Sequence, residues 1–513
     1  MTKKIVRSRL LITRVIDRER VEEVAEGALL IDNGLVASIG AFSELSHDHP
    51  DAEVIGSGNE VVLPGFVNAH HHIGLTPVQL GSPDMPLELW FVTRMVMRNV
   101  DLYLDTLYSA FEMIASGVTT VQHLHSWVPG TPVEAVNKCD QVIQAYHDIG
   151  MRVSYAYATR DQNRLVYESD EAFIARLPEK LRDPMRSWFA RFQLSLEDSL
   201  ALFRDLHRRH NEKERVRVQL APANLHWCSD KALEMLTETS RSFNVPMHMH
   251  LVETAYQKAY AQHRGDCTAL EYIDRFGMLG PDLTLGHGVW LTESDIERVA
   301  ETGTCICHNC SSNLRLRSGV AALNAFEAAG IETALGMDEA GINDDRDMLQ
   351  EMRLALRVHR VPGLDPSDIP TVPQVLRMAT QGGARTTPYG DQIGSLEVGK
   401  AADLILIDWD AIAFPYLDAN TSTLDAVVQR AKSDTVKTVI CAGEIIYRHG
   451  VFTRVDRTAA LQALHDELSS ALSDEEVQRR ELSQALLPHV AAFYRDYIAP
   501  DSFEPFYRQS SRV

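Results

Sequence analysis

The feature that most constrains this chain is a regular alternation of short apolar strands and helical segments across residues 61–390. Eight apolar segments recur there, and stretches with helical periodicity, such as 230–243 and 347–360, separate them. This alternation is typical of parallel β/α units. Eight units predict an α/β protein with a (β/α)8 TIM barrel, because the alternative, a doubly wound open sheet, normally has fewer strands. The segments are 61–70, 117–125, 151–159, 216–223, 245–251, 283–289, 303–309 and 331–338.

The two ends of the chain have a different pattern from the centre. Residues 1–60 and 391–455 contain short apolar runs bounded by turn residues, including a hairpin signal at Asn33–Gly34. We expect these two parts to form one small composite β-sandwich domain beside the barrel of residues 61–390. Residues 456–513 then form a helical extension, which includes the aromatic segment 493–508 and serves packing or subunit contact.

Charge and composition limit the partners. Lys and Arg number 50 against 71 Asp and Glu, a formal net charge of −21, whereas nucleic-acid polymers and anionic membranes need a basic surface. No apolar run is long enough for a membrane span. Seven cysteines in so long a chain do not form a disulfide framework. We therefore expect a cytoplasmic homo-oligomer that acts on a small molecule.

Histidines lie where the predicted strands end, at the face on which barrel enzymes build their sites. His70 and His72 end the first strand, and their spacing of two puts both imidazoles on one face. His250 ends the fifth strand, with Glu253 in the turn that follows. A metal ligand with a carboxylate just beyond it can hold an ion and move a proton over one substrate. We interpret His248, deeper on the same face, as a hydrogen-bonded interior residue.

Two further residues complete the candidate set. His287 ends the sixth strand and Asp338 ends the eighth, although a single Asp there is commonly a helix N-cap. Three histidines and one aspartate from strands one, five and eight form a divalent-metal site. His287 is a candidate for polarising water or a substrate carbonyl.

Four segments, in order along the chain, resemble motifs of the amidohydrolase superfamily, in its branch of heterocyclic-amine deaminases and chlorohydrolases. PGFVNAHHH (64–72) is similar to PGxxNxHxH, and HMHLVET (248–254) to HxHLxET. ICHNCSSNLRLRSG (306–319) is similar to HNPxSNLxLxSG, and GSLEVGKAADLILID (394–408) contains GxxxxGKxADL. The resemblance covers about residues 5–455.

The resemblance implies a catalytic site and a mechanism. In the family, the metal ligands would be His70, His72, His250 and Asp338, binding one Zn²⁺ or Fe²⁺, with zinc preferred. Glu253 would shuttle the proton and His287 would orient water or the leaving group. Binuclear relatives bridge two metals with a modified lysine, but VRVQLAPA (216–223) contains no Lys. A mononuclear site is therefore expected, in which metal-activated water attacks an amino-bearing ring carbon and ammonia leaves.

Substrate contacts are indicated at four positions. The segment 74–91 resembles a loop of methylthioadenosine and S-adenosylhomocysteine deaminases, in which Trp90 could stack on a heterocycle or pack a helix. Arg160 follows the third strand, where it could contact the substrate or lie at the surface. His226 could replace a family histidine whose place is taken here by Ala223. Glu339 stands where many relatives have Gly, which adds a carboxylate beside Asp338.

Three functions follow in order of preference. The first is a metal-dependent deaminase of a purine, nucleoside, pterin or triazine-like heterocycle. The second is cleavage of a C–Cl bond, or of a cyclic or linear amide C–N bond, on the same scaffold. The third, a non-catalytic scaffold, conflicts with the intact set of predicted ligands. Two other clusters are interpreted without metal, namely His123 with His125, which we expect to line the pocket, and the cysteines near residue 307.

Overall fold

The N-terminal part of the chain is mostly β-structure in the computed structural model, which describes residues 3–126, 128–211 and 213–498. Asn33 and Gly34 both take left-handed backbone angles, with φ 51° and 81°, and join two antiparallel strands. This confirms the predicted hairpin, because such turns match the twist of the strands that they connect. The strands are β1 Lys4–Arg7, β2 Leu10–Val15, β3 Val21–Ala25, β4 Gly27–Asp32, β5 Leu35–Ala41, β6 Glu53–Ile55 and β7 Glu60–Pro64, with helix α1 Phe42–Asp48 before β6.

The barrel region that follows is built from parallel strands. They form two four-stranded sheets, ordered β11-β10-β9-β8 and β13-β14-β15-β16. Parallel bridges Leu220–Met247 and His71–Asp338 join the sheets at both seams, so the pairing runs around a closed ring, as in a TIM barrel. The strands are β8 Phe66–His71, β9 Val118–His125, β10 Arg152–Thr159, β11 Val216–Val218, β12 Ala221–Pro222 (beside β10), β13 Met247–Leu251, β14 Leu283–His287, β15 Cys305–His308 and β16 Thr333–Leu335.

Strands from both chain ends share one seven-stranded sheet, ordered β20-β19-β18-β17-β7-β2-β3. A second sheet, ordered β5-β4-β1-β6, belongs to the N-terminal part alone. Buried side chains of both sheets pack together, among them Val6 and Leu29 from one and Leu11 and Leu404 from the other. The C-terminal strands are β17 Leu404–Asp408, β18 Val436–Cys441, β19 Glu444–Arg448 and β20 Val451–Phe452.

The first predicted strand, 61–70, is wrong as a single element. It is two strands, since β7 pairs with β17 and β2 in the seven-stranded sheet while β8 pairs with β9 in the barrel. The chain changes sheets at Gly65, where an added Cβ would lie 2.3 Å from the Thr119 hydroxyl. Apolar patterning could not show this break, because both halves are buried.

Helices cover the barrel, and the predicted helix 230–243 is confirmed. Ser229 caps its first turn through Ala232 N–H, and Asn244 ends it in the left-handed region. The α-helices are α2 Leu87–Thr93, α3 Leu102–Ala115, α4 Pro132–Ile149, α5 Asp170–Arg176, α6 Glu179–Phe189, α7 Leu196–His210, α8 Asp230–Phe243, α9 Ala255–Gly265, α10 Ala269–Asp274, α11 Glu293–Thr302, α12 Cys310–Arg315, α13 Leu323–Ala328, α14 Met348–Val358, α15 Val372–Arg377, α16 Gly383–Arg385, α17 Trp409–Ala413 and α18 Thr423–Arg430. Short 3-10 turns lie at Arg94–Val96, Leu225–Trp227, Pro366–Asp368 and Ser433–Thr435, and a π-helical turn at Met378–Gly382.

The described part of the C-terminal extension, up to residue 498, contains two helices, α19 Arg457–Leu468 and α20 Asp474–Tyr494. Leu486 and Val490 of α20 belong to an apolar cluster with Trp90 of α2 and Phe173 of α5. The extension therefore packs on segments that follow the barrel strands. The predicted aromatic segment 493–508 lies outside the described residues beyond residue 498. No helix in the described ranges is both long and apolar enough to cross a membrane.

Candidate active site

The predicted site residues lie at or near the ends of barrel strands, and two of them have left-handed backbone angles. His70 lies on β8 with His72 just past its end, His250 lies on β13, and His287 ends β14. His287 and Asp338 have positive φ values of 73° and 52°. Non-glycine residues rarely adopt this region, and it concentrates at functional sites where the surrounding structure holds it in place. Here it ends each strand with a sharp turn of the backbone.

Three imidazole nitrogens converge at one point. The Nε2 atom of His72 lies 3.0 Å from Nε2 of both His70 and His250, and the latter two are 3.1 Å apart. Asp338 Oδ1 lies 3.0 Å from His72 Nε2 and 3.5 Å from His70 Nε2. Nitrogens bound at about 2.0–2.1 Å to one zinc ion come to separations of this order. The predicted set of three histidines and one aspartate is therefore brought together.

The outer nitrogens fix the tautomers of two of these rings. His72 Nδ1 donates to Leu124 O at 2.6 Å, and His250 Nδ1 donates to Ala223 O at 2.7 Å. In their neutral forms both rings therefore turn the Nε2 lone pair inward, 3.0 Å apart. Such facing lone pairs need a cation between them. Backbone partners of this kind also orient the histidine ligands of metals.

Electrostatics agree with a cation at this point. Burial lowers the pKa of His70 to about 3 and that of His250 well below its usual value. Burial acts the same way on His72, but neighbouring Asp338 outweighs it and raises the pKa. The two imidazoles of His70 and His72 hold the pKa of the Asp338 carboxyl well below its usual range, against burial. One proton would serve one or two of the four converging atoms, whereas a divalent cation serves all four.

Glu253 and His287 lie beside this cluster. Glu253 Oε1 accepts a hydrogen bond from Ser318 Oγ at 3.0 Å, and Glu253 Oε2 lies 3.7 Å from His287 Nε2. Burial and the charge of Asp338 raise the pKa of Glu253 well above its usual value. His287 Nδ1 donates to Asn313 Oδ1 at 2.8 Å, so Nε2 is an acceptor, and it accepts from Asn309 Nδ2 at 3.3 Å. A raised pKa of this kind is typical of carboxyl groups that act as proton donors in active sites.

A small cavity of about 30 Å³ opens beside the cluster, and three of the four predicted substrate contacts line it. They are Trp90, Arg160 and Glu339. The fourth, His226, is not among its lining residues. It is buried with its ring centroid 4.2 Å from Tyr167 and 4.3 Å from Trp227.

Two residues that line the small cavity, Trp227 and Arg94, were not predicted from the sequence. Each contacts a residue that was predicted. Trp227 stacks under the buried Arg160 guanidinium, 3.9 Å from the ring centroid to Cζ, and burial lowers the pKa of Arg160 to about 9. Arg94 forms an ion pair of 2.6 Å with Glu339 and lies over Trp90 at 4.7 Å. The extra carboxylate at position 339 is therefore matched by a cation within the protein. The partners are 245 positions apart in the chain, so the sequence gives no local signal for the pair.

The remaining histidines of the predicted clusters have structural partners. His123 and His125 bond the hydroxyls of Tyr146 and Tyr155 at 2.9 and 2.7 Å, and both line a larger neighbouring cavity. His248 Nε2 lies 2.8 Å from His70 Nδ1, as a supporting contact. These side chains stabilise the barrel interior around the site.

Two other groups in the described residues bring three potential ligands within 4.8 Å, His70 with His248 and Cys307, and His308 with Cys310 and His359. Burial raises the pKa of both thiols well above the usual value. The interpretation of these cysteines without metal stays a prediction.

Comparisons with known proteins agree with this geometry. The family model described as "Amidohydrolase family" matches residues 61–446. A 5'-deoxyadenosine deaminase of Methanobrevibacter smithii is 28% identical over 437 residues, 84% of this chain and 90% of the relative. A 5-methylthioadenosine/S-adenosylhomocysteine deaminase of Syntrophobacter fumaroxidans is 28% identical over 425 residues, 82% and 88% of the two chains. An adenosine deaminase from Xanthomonas campestris, solved with bound zinc, has the same fold, with a TM-score of 0.76 and 23% identity, covering 91% of this chain and 97% of that one.

Proposed function

The chain belongs to the amidohydrolase family, and on that premise we propose that it is a zinc-dependent hydrolytic deaminase of an adenine-type nucleoside. The observation that carries the proposal is the convergence of three imidazole Nε2 atoms and one carboxylate beside the buried Glu253, whose pKa burial raises. The two curated relatives named as deaminases of adenosine derivatives support the substrate class. The reaction class is hydrolysis of a carbon–nitrogen bond other than a peptide bond.

The proposed ligands are His70, His72, His250 and Asp338. Nitrogen and carboxylate donors suit zinc, with Fe²⁺ as the alternative metal. When bound, such a cation supplies a water molecule whose pKa is lowered towards about 7. His248 and the two backbone carbonyls hold the rings in their binding orientation.

The remaining steps belong to this chain's own side chains. Asp338 Oδ2, which accepts a hydrogen bond from Ser312 Oγ at 2.5 Å, takes the proton of the attacking water. His287 Nε2 orients that water as an acceptor. Glu253 donates its proton to the ring nitrogen beside the amino-bearing carbon while the water oxygen forms its bond to that carbon. The proton held by Asp338 then passes to the amino group, the C–N bond breaks, ammonia leaves, and the new hydroxyl group returns a proton to Glu253. Trp90 and Trp227 line the small cavity that the reacting edge of the heterocycle enters, and Arg160 stacked on Trp227 forms one wall of it.

The division of the chain belongs to the same proposal. The barrel begins at residue 66, not at 61 as predicted, because β7 lies in the seven-stranded sheet. Residues 66–390 then form the hydrolase barrel, 3–64 with 391–455 form a composite β-sandwich, and the described residues 456–498 form the helical extension. The shared core between the two β-sheets supports the sandwich. The buried ion pair of Arg152 on β10 with Asp403 before β17, at 3.0 Å, supports a fixed attachment of this domain to the barrel.

An ammonia-release screen of the zinc-loaded protein tests the function. The substrates are 5'-deoxyadenosine, 5-methylthioadenosine and S-adenosylhomocysteine. A pterin with an amino group and a triazine with an amino group serve for comparison. We expect ammonia from the adenine nucleosides at rates above those from the other rings. Chloride release from a chlorotriazine without ammonia from any nucleoside would overturn the proposal in favour of dechlorination.

A further inference from the structure

A cavity of about 380 Å³ adjoins the small cavity beside the metal ligands. The two share four lining residues, His72, Phe91, Arg94 and Ser126. The small cavity holds about as much as one water molecule, whereas cavities that bind organic ligands begin at about 300 Å³. A substrate whose reacting edge meets His72 therefore has room for its larger part only in the larger cavity.

The wall of the larger cavity is strongly cationic. Five Arg and Lys side chains line it, against one carboxylate, Asp105, among the described lining residues. This stands out because the whole chain has a formal net charge of −21. The five cationic residues are Arg94, Arg98, Lys138, Arg191 and Arg479.

Two of the five each have a buried carboxylate partner of their own. Arg94 pairs with Glu339 at 2.6 Å and Arg98 with Glu476 at 3.2 Å, and these four side chains are largely buried. Asp105, the carboxylate of the wall, accepts backbone N–H groups of Gly74 and Leu75 at 2.9 and 2.7 Å. No ion pair joins Asp105 to a cationic side chain among the described residues.

The other three, Lys138, Arg191 and Arg479, form what we call the cationic triad. Arg191 pairs with Glu475 at 2.8 Å, and Arg479 lies 3.6 Å from the same carboxylate, so one half-exposed Glu475 serves both. Lys138 donates to the uncharged Pro129 carbonyl at 2.5 Å. Arg191 Nη1 and Arg479 Nε are buried, and neither has a hydrogen-bond partner among the described residues.

Arg191 acts on both other members of the triad. Burial lowers the pKa of Lys138 and of Arg479, and the charge of Arg191 lowers both further, whereas Glu134 raises the pKa of Lys138 and Glu475 raises that of Arg479. Like charges gathered in a partly dry cavity are unfavourable unless an anion joins them. Guanidinium groups present planar pairs of donors that match carboxylate and phosphate oxygens.

We propose that the cationic triad binds an anionic group, phosphate or carboxylate, carried by the substrate while its heterocycle reaches His72. This rests on the proposed function, whose substrate it narrows to a nucleoside with an anionic substituent. Arg479 belongs to α20, so the C-terminal extension is part of the substrate site. Lys138 on α4 and Arg191 just after α6 complete the subsite.

Binding measurements test this apart from catalysis. The zinc-loaded Glu253→Gln protein, which should not turn over substrate, is titrated calorimetrically with three probes. Adenosine monophosphate carries a phosphate, S-adenosylhomocysteine carries a carboxylate, and 5'-deoxyadenosine is neutral. The same titrations follow with Arg479→Met and with Lys138→Met as a second variant, in case the first fails to fold. Arg186→Met is the matched control, since Arg186 is half exposed on α6 and does not line the cavity.

We expect one of the anionic probes to bind at least about tenfold more tightly than 5'-deoxyadenosine, as charge-assisted hydrogen bonds allow. Arg479→Met and Lys138→Met should weaken that probe about tenfold, while changing the neutral probe less than about twofold. The preferred probe identifies phosphate or carboxylate as the group. The proposal would be overturned by equal affinities for all three probes, or by variants that lose affinity equally for the anionic and the neutral probes. It would also be overturned if neither anionic probe nor inorganic phosphate bound. If anionic probes bind but no ammonia is released from any heterocycle, the subsite stands and the proposed function fails.

Discussion

The two ends of the proposed substrate space are built differently. The metal end takes His70, His72, His250 and Asp338 from positions at or within three residues of barrel strand ends. The far end takes its cationic triad from helix α4, the chain after α6 and the C-terminal helix α20. Strand pairing fixes the first set closely, whereas the second depends on helices and loops that the barrel does not specify. Reaction chemistry and substrate choice therefore lie in parts of the molecule that can change independently.

The largest effect is expected at the metal end, from His250→Ala. Removing one of three converging nitrogens should lower the metal content well below one equivalent per chain. The loss of Lewis-acid catalysis, several kcal/mol, corresponds to a fall in kcat/KM of about a thousandfold or more. Metal analysis and ammonia release on the same sample measure both. His147→Ala, which changes an exposed histidine, is the control. A His250→Ala protein with full metal and full activity would remove this residue from the site.

Glu253→Gln should separate chemistry from metal binding at the same end. The amide cannot donate an acidic proton, so kcat should fall by about 10²–10⁴-fold, the usual contribution of a general acid or base. Because Glu253 is not one of the four proposed ligands, metal content should remain at one equivalent. The control is Glu293→Gln, an exposed residue at the start of α11. Turnover near that of the parent protein, or loss of the metal, would contradict the assigned role.

The contrast between the strand-held metal end and the far end held by helices and loops also explains which site residues the sequence could predict. Histidines two residues apart on a strand, and a carboxylate three residues past His250, are local signals, and the structure brings these residues together. The pair of Arg94 with Glu339 and the stacking of Trp227 on Arg160 join distant segments, and periodicity contains no information about them. His226 shows the limit, because its spacing suggested a cavity residue while its side chain packs among aromatic rings. The predicted barrel pattern also missed the change of sheet at Gly65, since both strands are buried.

A smaller effect is expected where the two ends meet. Arg94 lines both cavities, and Glu339→Gln would leave it as an uncompensated buried charge. Breaking one partner of a buried pair costs about 3–5 kcal/mol of unfolding free energy. Activity should fall only about tenfold, because neither Arg94 nor Glu339 forms an ion pair with a proposed metal ligand. The double variant Glu339→Gln with Arg94→Met should recover most of the stability in denaturant unfolding. If it is no more stable than Glu339→Gln alone, the pair is not what Glu339 contributes.

The smallest effect is a difference in salt dependence between the two ends. Arg191 and Arg479 are 27% and 11% exposed, so dissolved ions can screen the cationic triad, whereas His70 and Asp338 at the metal end are 0% and 6% exposed. The Debye length falls from about 14 Å at 0.05 M salt to about 7 Å at 0.2 M. The Michaelis constant for an anionic nucleoside should therefore rise about threefold over this range, while kcat and the Michaelis constant for a neutral nucleoside stay nearly constant. Arg479→Met should flatten the salt dependence of the anionic substrate only. Parallel changes for both substrates would mean that salt acts on the whole protein, and the far end would then have no separate electrostatic role.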